Sequence, residues 1–337
     1  MKEDLTGRGL LPQLHRGGTL PHYESYYLRA HNPLAHEALW IRYTVLRRLN
    51  GQTTASTWLT YWNAEAGPPR AFKETYAQAE LALEEEGRIL AIEESYLEPG
   101  RAIGTTNFED GSASWDLSFT DGEPAFFHLP KEAMYRAKLP RTKLLSPHPH
   151  SLFNGSLEVD DERITVADWP GMVGHNWGAE HSERWIWLNC NEFTGEGADT
   201  YFDIAAGRIR LGSIVMPWLP VGMACIRGER YLFNGVVGGL RSKVRDHYTS
   251  CELELRGRSG TLSILVQAPA EQFIGLIYQD PNGKPHNTLN CSIADAELHF
   301  KPRGGKAIEL RSAGGASYEI GVLEHTHPVQ MAIFGDY

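Results

Sequence analysis

The feature that most constrains this chain is a two-residue alternation of apolar and polar side chains, which recurs along nearly its whole length. Successive side chains of a β-strand point to opposite faces of the sheet, so this alternation is typical of strands with one buried face. Segments with this pattern are bounded by glycine, proline, asparagine or aspartate, and they include EALWIRYTVL, STWLTYW, RWIWLN and TLSILVQA. The pattern predicts a mostly antiparallel β protein.

The chain length predicts two domains. A chain of 337 residues is longer than one small barrel needs, so we expect two β-barrel domains packed together. The glycine-rich segment CNEFTGEGADT (190–200) is the predicted boundary, which gives domains 1–193 and 194–337. Helix is predicted only for PRAFKETYAQAELALEEEG (69–87), with strand as the alternative for part of it, and for PKEAMYRAKL (130–139).

Charge and hydropathy exclude several classes of partner. A net charge of −10 without a lysine- or arginine-rich run argues against nucleic-acid or anionic-membrane surfaces. The N-terminal segment lacks an apolar core typical of a signal peptide, and no run of about 18 apolar residues occurs, so we expect a cytoplasmic protein without an integral membrane segment. Four scattered cysteines without a C-x-x-C pair predict buried free thiols.

The segment GMVGHNWGAEHSERWIWLN (171–189) is the candidate functional region. It combines two histidines, two glutamates and three tryptophans. Buried ionisable groups are costly in a simple core strand, and three indoles do not suit an exposed loop. On a strand, Trp185 and Trp187 would share one face, which indicates the wall of a pocket. The alternative is ordinary sheet packing of the indoles, with Glu180 paired at the surface.

Metal and nucleophilic chemistry are both disfavoured by spacing. His175, His181 and the H-x-H pairs of SPHPH and EHTH offer possible ligands, but H-x-x-x-x-E-H matches no zinc motif. Fourteen histidines produce such pairs without a ligand role. A hydrolase is disfavoured because the sequence has no G-x-S-x-G motif. The sequence also has neither a dinucleotide-binding nor a phosphate-binding glycine motif, so no cofactor is predicted.

Acid–base chemistry inside an aromatic cavity uses all the unusual residues of this segment. Glu180, His175 or His181 would move a proton while indole faces stabilise a cationic transition state. Asp203 is a second candidate acid, because its apolar neighbours would raise its pKa if it is buried without a partner. Glu24 and Tyr26 are candidate pocket residues; Tyr26 and Tyr27 point to opposite faces, so at most one of the two lines a cavity.

Three segments carry a resemblance to a known superfamily: ESYYLRAHNPLAHEALWIRYTVL, GHNWGAEHSERWIWLN and HNTLNCSIADAELHF. They resemble the lipocalin-like superfamily of AttH-type proteins, hydroxyneurosporene synthase (carotenoid 1,2-hydratase) and tocopherol cyclase, with fungal Diels–Alderases as more distant members. The resemblance covers most of the chain, and H-N-W-G is its most specific part. It implies two lipocalin-like domains, a hydrophobic pocket, and cofactor-free hydration, cyclisation or pericyclic chemistry. The positions that match the motif are His175, Asn176, Trp177, Glu180, His181, Arg184, Trp185 and Trp187.

Together these observations predict a cofactor-independent acid–base enzyme that cyclises, isomerises or hydrates a lipophilic isoprenoid, polyene or polyketide. The alternatives are a non-catalytic carrier of a hydrophobic ligand and, less favoured, a metal-dependent enzyme. The predicted catalytic residues are Glu180, His175, His181 and Asp203. The predicted substrate-binding residues are Trp177, Trp185, Trp187, Asn176, Tyr26 and Glu24, and neither a cofactor nor a metal is predicted.

Overall fold

A computed structural model describes residues 12–13, 20–77, 81–83, 87–109, 111–120 and 123–333 of the chain. Within these ranges, strands dominate and form two large sheets that are antiparallel apart from one short parallel pair. The predicted mostly antiparallel β fold is confirmed.

The first sheet is built from the N-terminal half of the chain. Among the described residues it has twelve strands, in the order β4-β3-β2-β1-β12-β11-β9-β8-β7-β6-β5 with β10 beside β11. Their bounds are β1 His22–His31, β2 Glu37–Arg47, β3 Thr53–Asn63, β4 Arg70–Tyr76, β5 Leu81–Leu83, β6 Leu90–Ile92, β7 Ser95–Glu98, β8 Arg101–Phe108, β9 Gly111–Phe119, β10 Phe126–Phe127, β11 Thr142–Val159 and β12 Glu162–Gly178.

The second sheet is built from the C-terminal half. In the described part of the chain its main order is β18-β17-β14-β13-β24-β23-β21-β20-β19, with β22 beside β23 and β25 beside β22. The bounds are β13 Arg184–Cys190, β14 Tyr201–Arg208, β17 Leu219–Ile226, β18 Glu229–Leu232, β19 Lys243–Asp246, β20 Ser250–Arg256, β21 Gly260–Gln267, β22 Ile274–Gln279, β23 Pro285–Pro302, β24 Ile308–Val322 and β25 Met331–Ile333. A separate small hairpin joins β15 Arg210–Leu211 to β16 Ile214–Val215.

The first sheet folds back on itself through side-chain hydrogen bonds. The Thr57 hydroxyl donates to the Thr105 carbonyl at 2.9 Å, and the Thr106 hydroxyl donates to the Thr57 carbonyl at 3.0 Å. The Glu74 carboxylate on β4 accepts the backbone N–H of Asn107 on β8 at 3.1 Å. These bonds join β3 and β4 to β8, and the sheet curves around the apolar core that lies between them.

Helix is confined to short segments between strands. The described helices are α1 Glu132–Arg136, α2 Val236–Arg241 and one 3-10 turn, Ala270–Gln272. Helix α1 confirms the prediction for residues 130–139. The helix predicted over 69–87 is wrong where the structure describes it, because residues 70–76 pair with β3 and bury Phe72 in the first core. Residues 78–80 and 84–86 of that prediction lie outside the described residues.

Strand β1 is buried on both faces, and each face packs into a different core. Tyr26 and Leu28 belong to the core enclosed by the first sheet, whereas Tyr27 belongs to a larger core that is shared with the second sheet. The same division places Ile41 inside the first sheet and Trp40 between the sheets. The two sheets therefore pack face against face through their aromatic side chains.

Arg29 fixes the contact between the two sheets. Its guanidinium donates to the carbonyl oxygens of Ser292 at 2.7 Å and Gly315 at 2.9 Å, both in the second sheet. His31 adds a further link, since its Nε2 lies 2.6 Å from a carboxylate oxygen of Glu192. A buried cation is costly unless its N–H groups find acceptors, so these bonds specify how the sheets meet.

The change of sheet lies between Gly178, which ends β12, and Arg184, which begins β13. It precedes the predicted domain boundary at residue 193 by one strand, and the division into domains remains a prediction. All four cysteines are buried with free thiols. Among the described helices, none has both the length and the apolar character needed to cross a membrane.

Candidate active site

A cavity of about 450 Å³ lies between the two sheets. Strands β1 and β2 contribute Tyr27 and Trp40 to its wall, and the second sheet contributes Trp185, Trp187 and Tyr278. Trp187 packs edge-on against Tyr27, with the ring centroids 5.4 Å apart. The cavity is therefore suited to an apolar ligand with extended or aromatic character.

Two glycines make room for aromatic side chains in this wall. Tyr27 is paired with Gly174, and a Cβ at Gly174 would lie 2.1 Å from Cζ of the tyrosine ring. Trp185 is paired with Gly321, where a Cβ would lie 2.2 Å from the indole. Each ring lies flat over the strand beside it, which only glycine permits at such close approach.

Both pocket indoles are held by buried carboxylates. Trp187 donates its Nε1–H to Oδ1 of Asp203, and Trp185 donates its Nε1–H to Oε1 of Glu319, each at 2.9 Å. Asp203 is fully buried and also accepts a hydrogen bond from the Ser146 hydroxyl. The sequence-based choice of Asp203 as a second acid assumes burial without a partner, and the structure instead gives the buried Asp203 the partners Trp187 and Ser146.

Glu319 is a buried carboxylate on the cavity wall. Besides Trp185, it accepts the Tyr278 hydroxyl at 2.9 Å and the side-chain amide of Asn290 at 3.0 Å. Burial, and then the charge of Glu319, raises the pKa of Tyr278 well above its usual value. The phenol therefore stays protonated and donates its hydrogen bond to the carboxylate.

His181 lies on the cavity wall beside a second buried carboxylate. Oδ1 of Asp280 is 2.7 Å from Nδ1 of His181 and 2.8 Å from its backbone nitrogen. Oδ2 of Asp280 is 2.9 Å from Nε2 of His286. Burial disfavours the charged Asp280, but hydrogen bonds from the two histidines outweigh it and hold the pKa of Asp280 well below its usual value.

The ionised Asp280 determines the tautomer of His181. A carboxylate only accepts, so Nδ1 of His181 carries the proton and Nε2 carries the lone pair. Burial lowers the pKa of His181, although Asp280 opposes this change. Within the described part of the chain, the buried Nε2 has no hydrogen-bond partner. His181 is thus a neutral imidazole with an available basic nitrogen, and its ring stacks between Tyr23 at 4.0 Å and Trp185 at 5.3 Å.

The same three groups offer a possible metal site. Donor atoms of His181, Asp280 and His286 all lie within 4.8 Å of one another. Two imidazoles and a carboxylate form a ligand set that suits several divalent metals. The sequence contains this set only as residues far apart, and the His175–His181 and H-x-H pairs weighed as ligands in the sequence do not include Asp280 or His286.

Glu180 lies where the cavity opens to solvent. Its side chain is 25% exposed and forms an ion pair with Arg141, which also lines the cavity. The sequence-based hypothesis places Glu180 beside a histidine or indole rings, with pairing at the surface to Arg184 or a histidine as the alternative; in the structure its ion-pair partner is Arg141. Asn176 lines the cavity, and its role in substrate binding stays a prediction.

Four other predicted residues lie on the opposite face of the first sheet. Tyr26 stacks on His175 with centroids 4.1 Å apart, and Trp177 stacks on the same imidazole at 4.5 Å. Nε2 of His175 is 2.8 Å from Oε1 of Glu24. Burial opposes ionisation of Glu24, but the bonds from His175 and His22 lower its pKa to about 2. None of these four lines the cavity between the sheets, because Tyr27, not Tyr26, faces it.

Several residues of the site, some on the cavity wall and one behind His181, were not found from the sequence. Asp280 lies in QDPNGK, which has the composition of a turn, and Glu319 lies in the apolar run SYEIGV. Arg42 and Tyr278 belong to strands with ordinary alternation. Glu319 also follows the ordinary alternation of its strand, so no local signal marks it.

Comparisons with known proteins agree with this architecture. The family model described as tocopherol cyclase-like matches residues 142–305. Uncharacterized proteins from two Mycobacterium tuberculosis strains, CDC 1551 / Oshkosh and H37Rv, are each 24% identical, over 95% of this chain and 92% of theirs. The chloroplastic tocopherol cyclase of Zea mays is 31% identical over 61 residues, which cover 18% of this chain and 13% of the maize protein.

Among solved structures, a candidate AttH protein from Nitrosomonas europaea aligns over 95% of this chain and 96% of its own, with a TM-score of 0.58 and 11% identity. This likeness concerns the fold. Together with the family-model match, it confirms the resemblance to the superfamily of AttH-type proteins and tocopherol cyclase.

Proposed function

We propose, starting from the tocopherol cyclase-like match and the AttH-like fold, that this protein is a cofactor-independent enzyme of the cyclase or hydratase type. Its substrate is a lipophilic isoprenoid, polyene or polyketide that occupies the cavity between the sheets. The family match supports cyclase or hydratase chemistry in general. The aromatic lining supports a lipophilic substrate, since apolar ligands gain most from burial against such side chains.

The observation that carries this proposal is the His181–Asp280 pair on the cavity wall. A buried carboxylate that fixes the tautomer of a buried imidazole is an arrangement suited to general base catalysis. The lowered pKa keeps His181 neutral at physiological pH, so Nε2 can accept a proton. A carrier needs an apolar lining but has no need of an oriented imidazole.

In the proposed step, His181 moves one proton from oxygen to carbon. Its Nε2 removes the proton from a hydroxyl group of the substrate, or from water, and the imidazolium that forms returns it to one carbon of the double bond. The oxygen bonds to the other carbon of that double bond. Cyclisation then gives an isomer of the substrate, and hydration adds one water molecule. The indole and phenol faces of Trp185, Trp187 and Tyr27 stabilise positive charge that develops on the carbon skeleton.

The test uses a prenylated phenol and a polyene alcohol as probes, analysed by liquid chromatography and mass spectrometry in H₂O and in D₂O. We expect one deuterium at a new C–H position in each product molecule formed in D₂O. His181→Gln should lower turnover by roughly 100-fold or more, the scale expected when a general acid–base group is lost. A product without deuterium would indicate a purely shape-directed pericyclic reaction. Binding of both probes without any product would favour a carrier.

A metal-dependent enzyme is the second candidate, because His181, Asp280 and His286 form a possible ligand set. Elemental analysis of the purified protein distinguishes the two candidates. Zinc or iron at one equivalent, lost in His286→Gln together with activity, would favour the metal. Activity that survives exhaustive treatment with a chelator would favour proton transfer by His181 alone.

A further inference from the structure

Arg42 is a buried arginine on the cavity wall. It lies in the middle of β2, opposite Tyr27 on one neighbouring strand and Trp58 on the other, and it is only 4% exposed. Its guanidinium carbon lies 3.8 Å from the ring centroid of Tyr278, another cavity residue. A charge is therefore present inside a largely apolar cavity.

The hydrogen bonds of Arg42 leave most of its donors unused. A guanidinium has five N–H groups. The Nε–H donates to the Ser25 hydroxyl at 2.5 Å, and among the described residues Arg42 has neither another hydrogen bond nor an ion pair. Arg29, the other deeply buried arginine considered above, instead donates to two backbone carbonyls.

The aromatic neighbours of Arg42 do not replace these acceptors. The rings of Tyr278, Trp40 and Trp58 attract the cation through their faces, at 3.8, 5.8 and 5.7 Å. Ring faces offset part of the desolvation cost, but they do not satisfy N–H groups as oxygen lone pairs do. A buried cation with free donors on a cavity wall is suited to a ligand that brings the oxygen acceptors.

The other charged residues of the cavity already have partners. Glu180 pairs with Arg141, Glu183 pairs with Arg210, and Glu319 accepts three hydrogen bonds from uncharged side chains. Arg42 is thus the cavity cation without a counter-anion in the described part of the chain. A ligand anion placed there would gain a charge-assisted, bidentate contact with a guanidinium that is only 4% exposed.

We propose that Arg42 recognises the polar end of an amphiphilic substrate, and that this end carries a carboxylate or an equivalent anionic oxygen. The apolar remainder packs against Trp185 and Trp187. This inference names a substrate class for the proposed enzyme and rests on that proposed function, but it concerns binding alone. It can therefore be tested without turnover.

The probes are cis-parinaric acid, a fluorescent polyene carboxylate, and its methyl ester, which has nearly the same shape without the charge. Titration of each into the protein at pH 7.5 gives both dissociation constants. We expect the acid to bind at least about tenfold more tightly than the ester, because one charge-assisted pair is worth this much or more. In Arg42→Gln the preference should fall below about threefold, while ester affinity stays within about twofold of wild type.

Two further variants keep the test decisive. Arg210→Gln removes another cation that lines the same cavity, and it should retain the preference for the acid. Arg42→Lys keeps the charge and should retain most of the preference for the acid. If Arg42→Gln no longer binds the ester, the acid preference of Arg42→Lys is the deciding measurement. Equal binding of acid and ester by the wild-type protein, or loss of the preference in Arg210→Gln, would overturn the proposal. Failure of turnover with an intact acid preference would instead count against the proposed enzyme.

Discussion

Asp280 holds His181 through two hydrogen bonds to one carboxylate oxygen, which accepts the backbone N–H at 2.8 Å and the ring Nδ1–H at 2.7 Å. The bonds orient the imidazole relative to its own backbone and leave Nε2 as the basic nitrogen. The stacked rings of Tyr23 and Trp185 then confine the imidazole plane. The geometry resembles the positioning of a catalytic histidine by a carboxylate in unrelated folds.

The pH dependence of activity should report His181. Burial lowers the pKa of His181 below its usual value of 6.5, so the active neutral imidazole is lost only when the pH falls through this lowered pKa. We expect kcat/KM to rise with pH through that value and to level off at neutral pH. Asp280→Asn removes the negative charge that supports the imidazolium, so the midpoint should move to lower pH and the plateau should fall. A profile that decreases through the same range would identify the imidazolium as the active form.

Glu180→Gln tests the sequence-based assignment of this residue as the general acid. Loss of an essential acid would lower turnover by roughly 100-fold. Since Glu180 is partly exposed and pairs with Arg141, we expect less than about a tenfold decrease. Turnover measured beside His181→Gln on the same probe decides between the two residues. A larger loss in Glu180→Gln than in His181→Gln would restore Glu180 as the principal proton donor.

Gly321→Ala should damage the cavity by displacing Trp185. The added Cβ would lie 2.2 Å from the indole, so the ring must move toward the space occupied by a ligand. We expect a loss of about 1–3 kcal/mol in unfolding free energy. Polyene binding, measured by quenching of tryptophan fluorescence, should also become weaker.

Gly104→Ala is the matched control for this variant. Its Cβ would lie 2.3 Å from Trp115, in the core of the first sheet. It should lower stability by a similar amount and leave polyene affinity unchanged. Equal loss of binding in both variants would contradict a specific role for Trp185.

Glu24 should contribute stability that is lost in acid. Its pKa is about 2 in the folded state and 4.5 when unperturbed, so the contribution is complete above pH 4.5 and disappears as pH falls toward 2. Glu24→Gln should cost about 3 kcal/mol of unfolding free energy at pH 7, and the difference from wild type should shrink below pH 4.5. Urea unfolding at pH 7 and pH 3.5 measures both values. The exposed Glu162→Gln should differ from wild type by less than about 1 kcal/mol at either pH.

The strands and the tryptophan face follow directly from local sequence. Strict alternation requires Trp185 and Trp187 to share a face, and in the structure both line the cavity. Alternation could not decide between Tyr26 and Tyr27, because β1 is buried on both faces and both registers satisfy the hydrophobic pattern. Only the packing of the second sheet makes one of those faces the cavity wall.

The chemical partners in the site depend on the tertiary structure. Asp280 is 99 residues from His181, and Glu319 is 134 residues from Trp185. Local propensity marks Asp280 as a turn residue and gives Glu319 no distinguishing feature. Their roles arise from burial, which removes water and leaves each carboxylate dependent on hydrogen bonds from distant strands. The sequence alone determined the β architecture and which side chains share a strand face. The packing of one sheet on the other decided which face encloses a cavity, and which charges are isolated within it.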